Sequence, residues 1–195
     1  MMRFGQGGKK DEAGDEPGRR LCAALGSRSV VLVGMPGCGK SAVGRRLAPR
    51  LGIPFVDADE EIEQAAQMSV AEIFERFGEA YFRDGERRVI ARLLESGPSV
   101  LATGGGAFVQ PGTRALILES GIAIWLDSDV ATLLERVGRR DTRPLLHGGD
   151  PKEILARLKA ERESSYAQAP IKIVSHPGPH GDTVNRTLQE LAAWL

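Results

Sequence analysis

From Ser29 onward the chain alternates short runs of β-branched and aliphatic residues with longer amphipathic stretches. Ser29 to Gly34 (SVVLVG) is continuous Val and Leu rather than an alternating pattern, as expected of a strand buried on both faces. Lys40 to Leu51 carries Leu47 and Leu51 on one face and stops at Gly52 before Pro54, which predicts a helix. Pro54 to Asp59 (PFVDAD) reads as a second short strand. From about Glu60 to Glu95 the pattern is helical in three pieces, broken near Ser69 and Gly78. Ser69 and Glu72 have the spacing of a capping box. Ser99 to Gly104 (SVLATG) is a third strand, and Pro111 to Ser120 a helix opened by proline. Gly121 to Asp127 is a fourth strand and Val130 to Val137 helical. Pro151 to Gln168 is a helix, Ile171 to Val174 a fifth strand, and Asp182 to Leu195 the closing helix. Five buried strands alternating with helices predict an α/β three-layer sandwich around a five-stranded parallel sheet.

Two segments fall outside this alternation. Residues 1–27 are rich in Gly and mixed charge, and are expected to be a disordered tail ahead of a single domain, 28–195, because they bury too little apolar surface to offset their ordering entropy. Leu21 to Leu25 is the stretch there that a short helical turn could pack on the domain. Residues 138–150 form a polar, Arg- and Gly-rich loop of the length and composition of a functional lid.

Composition narrows the classes. A chain of 195 residues suits one domain with a real core, and 42% apolar with 27% charged residues is ordinary for a globular protein. Net charge is zero, so no global field favours nucleic acid or an anionic membrane, and any phosphate recognition must be local. Two cysteines, Cys22 and Cys38, cannot build a disulfide framework. No apolar run approaches a membrane span, and the first twenty residues suit neither a secretory signal nor a transit peptide. A cytoplasmic protein is the expectation.

The decisive motif is Gly34-Met35-Pro36-Gly37-Cys38-Gly39-Lys40-Ser41, which matches G-x-x-x-x-G-K-S with a strand before and a helix after. Its glycines allow backbone N–H groups to approach phosphate oxygens. The following helix offers its positive dipole end to the same anion. Lys40 supplies a point charge for the β- and γ-phosphates of ATP and Ser41 a hydroxyl for Mg²⁺. Gly37, Cys38, Gly39, Lys40, Ser41 and Ala42 are therefore the expected ATP-binding stretch, with Cys38 a merely small loop residue.

Other residues carry chemistry less specifically. Asp57 and Asp59 stand one residue apart at the end of the second strand, where alternate residues share a side and both carboxylates can reach the mouth of the sheet. They could also be acids at a helix N-terminus. Arg83 precedes Glu86 by three positions, a helical pairing that can fix a guanidinium suited to a carboxylate ligand or make a surface ion pair. Gly104-Gly105-Gly106 strips side chains from the backbone, which serves close approach or a flexible turn. No acid of the Walker-B kind ends the third strand. No spacing suggests a metal site among the three histidines, which read as surface loop residues.

Taken in order after the P-loop, FVDADEEIE, FGEAYFRDGE, LATGGGAF, TRPLL and ERESSY resemble shikimate kinase, and the similarity runs from Ser29 to Leu195. The resemblance implies a P-loop NTPase of the nucleoside monophosphate kinase-like fold. It implies ATP-dependent phosphorylation of shikimate to shikimate 3-phosphate, with Mg²⁺, and a small-molecule enzyme without nucleic-acid or membrane partners, expected as a monomer. By resemblance Asp57 helps hold Mg²⁺, and Asp59 binds acceptor hydroxyls and can take the proton of the attacking one. Arg83 and Arg162 bind the substrate carboxylate, with Glu86 positioning Arg83, and Gly104, Gly105 and Gly106 receive the ring. Arg143 closes over the γ-phosphoryl and Arg136 lies on the adenine face. Lys40, Asp59 and Arg143 are then the catalytic set. Asp84 stands where many relatives have a second arginine. SHPGPHGD after the fifth strand departs from the common Asn-Pro pattern, which leaves His180 a weak adenine-side candidate. A gluconate or nucleoside monophosphate kinase of the same fold, or a non-catalytic nucleotide-binding module, remain the competing readings.

Overall fold

The structure is a computed structural model that describes residues 16–138, 150–176, 178 and 180–195. Its order is α1 (Glu16–Leu25), β1 (Ser29–Val33), α2 (Lys40–Leu51), β2 (Phe55–Asp57), α3 (Ala58–Ala66) and α4 (Val70–Glu95). β3 (Val100–Ala102), a 3₁₀ turn (Ala107–Val109), α5 (Pro111–Ser120) and β4 (Gly121–Asp127) follow. α6 (Val130–Gly138), α7 (Pro151–Tyr166), β5 (Ile171–Val174) and α8 (His180–Trp194) complete it. The five strands form one all-parallel sheet in the order β2-β3-β1-β4-β5. β1 is central, with Val30 opposite Val100 on one side and Ile122 on the other. Val30 to Val33 and Ile122 to Leu126 are buried, as strands covered by helices on both faces must be.

After β1 the chain returns toward β2, while after β4 it proceeds to β5, so the strand order reverses beside β1. A crevice opens there beyond the carboxyl ends of the strands, the usual ligand position in such sheets. A second, smaller apolar cluster joins Ile62, Ile73 and Phe82 between α3 and α4, apart from the main core. Ser69 and Glu72 make the expected capping box at the start of α4, and Gly78 (φ 79°) kinks that helix.

The expected tail needs correction. Residues 16–25 form α1, and Leu25, 1% exposed, belongs to the main core with Leu21 packed against it. Leu21 and Leu25 stand four apart on one face, and Gly26 (φ 64°) terminates the helix. Arg28 donates to the Leu25 and Ala24 carbonyls at 3.3 and 3.4 Å and lies over the Trp194 ring, tying α1 to α8. The first 15 residues of the expected tail lie outside the described residues. Leu25→Ala should therefore cost about 2–5 kcal/mol of stability, a fall of roughly 5–15 °C in Tm. An unchanged melting curve would return the segment to the tail.

Candidate active site

β1 ends at Val33, and residues 34–39 turn tightly into α2. Gly34, Gly37 and Gly39 have φ of 140°, 85° and 100°, so the turn needs residues without a Cβ. Lys40 is 8% exposed, more buried than a solvated phosphate ligand would be. Its Nζ donates to the Gly34 and Met35 carbonyls at 2.8 and 3.0 Å, folding the charge back over the loop. Such carbonyl contacts can be exchanged for phosphate oxygens. Cys38 is fully buried, consistent with a packing role, and Ala42 sits in the first turn of α2.

Ser41 and Asp57 meet across the base of this loop, the Ser41 hydroxyl donating to Asp57 Oδ2 at 2.6 Å. Asp57 also caps α3, its Oδ1 accepting from the Asp59 N–H at 3.1 Å. Asp59 is therefore not at the end of an extended strand: β2 stops at Asp57, and Asp59 lies in the first turn of α3. The reason is local, since the Asp57 cap starts the helix two residues earlier than an alternating pattern suggests. The Asp59 carboxylate still reaches the crevice. A Cβ on Gly104 would stand 2.9 Å from Asp59 Oδ1 and 2.8 Å from Glu86 Oε1.

Arg83 and Glu86 pair on α4 at 2.7 Å, and Arg83 also reaches Glu79 at 3.2 Å. Glu86 is wholly buried, and among the described residues none donates to its Oε1, the oxygen facing Gly104. Burial raises its pKa above the usual carboxylate range, opposed by Arg83 and reinforced by Asp59 and Glu79. A carboxyl whose pKa is raised on folding binds more protons in the folded chain than in the unfolded one. Its contribution therefore falls as pH rises from about 4.3 through the raised value. Glu86→Gln should remove that penalty: its melting temperature should equal or exceed the wild-type value at neutral pH, the gap closing in acid. Binding of a carboxylate at Arg83 should weaken in the same variant, because Arg83 loses its shorter, buried ion pair and keeps only Glu79. A variant that is less stable at neutral pH and binds normally would contradict both expectations.

The glycine triplet sits between these acids, the P-loop and Arg83. A Cβ on Gly105 would stand 2.6 Å from Pro36 and one on Gly106 2.4 Å from the Arg83 guanidinium. None of the three has a positive φ, so close approach rather than backbone strain calls for glycine. From the other side, α7 brings Arg162 Nη1 to 3.3 Å from the Gly105 carbonyl, which also accepts from the Tyr166 hydroxyl. Arg83 and Arg162 thus flank one short stretch of backbone that touches the P-loop.

At the P-loop, Arg136 donates to the Cys38 carbonyl at 3.2 Å and to the Ser175 hydroxyl and His176 carbonyl at 3.5 and 3.4 Å. It bridges the P-loop to the segment after β5. His180 is not a surface loop residue: it opens α8, half-buried, its ring 3.4 Å from where a Cβ on Gly39 would stand. Burial, then Arg136 and Arg46, lower its pKa, so it is neutral at pH 7. Arg143, with Arg139 and Arg140, lies outside the described residues.

Sequence reasoning missed the anchoring around β4. Asp127 accepts from Lys159 at 2.6 Å and Lys172 at 3.1 Å, and Lys159 also donates to the Ser128 carbonyl at 2.7 Å. The available signal was the spacing of Lys159, Arg162 and Tyr166 on one face of a helix. Among the described residues no group of three or more His, Cys, Asp or Glu could hold a metal, and no helix is long and apolar enough to cross a membrane.

A Lys-bearing P-loop at the switch point of a parallel sheet, with a cationic acceptor crevice beside it, defines a P-loop phosphotransferase of small molecules. The Shikimate kinase family model matches residues 36–192, and the chain belongs to that family. It is 60% identical over 185 residues to a shikimate kinase of Novosphingobium aromaticivorans, covering 93% of each chain. It is 53% identical over 169 residues to one of Caulobacter vibrioides, covering 87% of this chain and 84% of that one. Shikimate kinase from Acinetobacter baumannii in complex with shikimate superposes with TM-score 0.83 at 36% identity, over 88% of this chain and 97% of that one. A gluconokinase from Sinorhizobium meliloti shares the fold at TM-score 0.54 and 19% identity.

Proposed function

We propose that the chain transfers the γ-phosphoryl group of ATP to a hydroxyl of shikimate, giving shikimate 3-phosphate. The observation that carries this is the convergence of Arg83 and Arg162 on the Gly105–Gly106 backbone beside Pro36. Two guanidiniums on opposite sides of a side-chain-free surface suit one carboxylate, and shikimate carries one. Asp59, next to Gly104, accepts from the acceptor hydroxyls and can take the proton of the attacking oxygen. Lys40 leaves its carbonyls for the β- and γ-phosphates. Gly37, Cys38, Gly39, Ser41 and Ala42 offer loop and helix N-terminal amides, and Arg136 stands at the base side. Catalysis in this arrangement is positioning and charge stabilisation.

Ser41 and Asp57, a hydroxyl and a carboxylate already in contact, are the hard oxygen donors that Mg²⁺ takes with one or two protein ligands. Bound there, Mg²⁺ neutralises phosphate charge. Arg143 is assigned to the γ-phosphoryl, and residues 138–150 to a lid. Arg143→Ala should accordingly lower kcat far more than it weakens shikimate binding. A change confined to KM for shikimate would remove Arg143 from catalysis. The enzyme is taken to act as a monomer, and the cytoplasm is its proposed compartment.

An ADP-release assay offering shikimate, gluconate and nucleoside monophosphates in parallel tests the reading. Turnover with shikimate alone is expected; preference for either other acceptor would overturn it.

A further inference from the structure

Three successive glycines give a backbone with more freedom than any other, so something outside the triplet must hold its peptides in one orientation. The Gly105 carbonyl is where the structure does so. Tyr166 donates its hydroxyl to that oxygen, and Arg162, one helical turn earlier on α7, donates to the same oxygen. Tyr166 is 1% exposed, and its ring stacks on Trp125 of β4 with centroids 5.9 Å apart. Its position is thus set by the rigid sheet rather than by the loop it touches. A phenol so buried costs stability unless its hydroxyl finds a partner. Burial also pushes its pKa far above the ordinary tyrosine value, so the group remains a donor. Lys159, on the same face of α7, grips Asp127 and fixes the middle of the helix to the end of β4.

The geometry points to Tyr166 as a positioning residue of the acceptor site: its hydroxyl pins the Gly105–Gly106 peptide and, through the shared carbonyl, the Arg162 guanidinium. The peptide is planar, so fixing the Gly105 carbonyl fixes the Gly106 N–H on the opposite side. Gly106 is also the residue against which Arg83 lies. Tyr166 therefore sets the backbone between both carboxylate-binding arginines without touching the acceptor itself. This inference rests on the acceptor assignment proposed above.

Tyr166→Phe keeps the ring and its stacking and removes only the hydroxyl. Its KM for shikimate should rise roughly five- to twentyfold. KM for ATP should stay within about twofold, and kcat should fall by a smaller factor than KM rises. Combined with Arg162→Lys, the loss in shikimate affinity should be less than the product of the two single losses, because both act through one carbonyl. Trp125→Phe, which perturbs the same packing but retains the hydroxyl, should keep a near-normal KM for shikimate. Hydrogen exchange of the free enzyme provides a readout independent of substrate: the Gly106 and Ala107 amides should exchange faster in Tyr166→Phe than in wild type. Unchanged exchange overturns the pin even if wild type proves to use another acceptor. Faster exchange with an unchanged shikimate KM overturns its role in the site. A lower melting temperature with unchanged KM, or an equal KM rise in Trp125→Phe, makes Tyr166 a packing residue and also overturns the inference.

Discussion

Lys40→Met should lower phosphoryl transfer to shikimate by about 10³-fold or more while leaving a folded protein, since one preorganised charge aimed at the developing phosphoryl charge is removed. Methionine keeps most of the buried stem, so the cavity cost of truncation is small. The ammonium does have a structural contact, donating to the Gly34 and Met35 carbonyls, so a modest fall in melting temperature is expected alongside the catalytic loss. Shikimate binding in the absence of nucleotide should be unchanged, because the proposed carboxylate site is at the Gly105–Gly106 backbone, where Arg83 and Arg162 lie, and not at Lys40. Near-normal turnover with a normal melting curve would remove the P-loop from the chemistry.

The second large effect concerns the acceptor. Arg83→Ala and Arg162→Ala should each cost about 2–5 kcal/mol of shikimate binding, much of it the cost of leaving a desolvated carboxylate under-paired. Lysine at either position should restore only part, having one point charge in place of a planar fork. The two losses should be strongly non-additive, since both arginines address one group. MgATP affinity should hardly move. Arg83 has the further consequence that its removal leaves Glu86, fully buried, without its cation, so Arg83→Ala should also be the less stable of the two variants. Calorimetric titration of shikimate and of nucleotide into both single variants and the double one reads all of this. Unchanged shikimate affinity in either single variant would sink that residue's assignment.

What the sequence made legible follows from which interactions are local. β1, α2, α5 and β4 stand where their apolar runs and their Gly and Pro stops put them, because burial on both faces leaves an uninterrupted pattern and the stops act on adjacent residues. The P-loop was legible for the same reason: its glycines, lysine and serine are contiguous. The errors occurred where a single long-range or capping contact decides. A helical turn at Leu21 to Leu25 is legible as an alternative to a polar tail, but the full helix and its partners are not: the segment is ordered by α2 and α8, and by Arg28 reaching Trp194. Alternation continues through Asp59 and predicts a strand end there, whereas the Asp57 side chain accepting from its N–H turns the chain into helix. His180 was placed in a loop, yet it opens α8 against Gly39, a proximity set by the sheet order. The residues proposed for the acceptor crevice are named through family resemblance, which does not name the supports beneath them. Tyr166 on Gly105 and Lys159 on Asp127 join segments 61 and 32 residues apart, so the shared face of α7 names the side chains but not their partners.

The most direct test of the central claim is to identify the product. The purified protein, MgATP and shikimate should yield a phosphomonoester of shikimate in step with ADP, with proton–phosphorus coupling in NMR placing the phosphoryl group on the 3-hydroxyl. ADP formed without phosphorylated shikimate, or a phosphoryl group on another hydroxyl, would contradict the account.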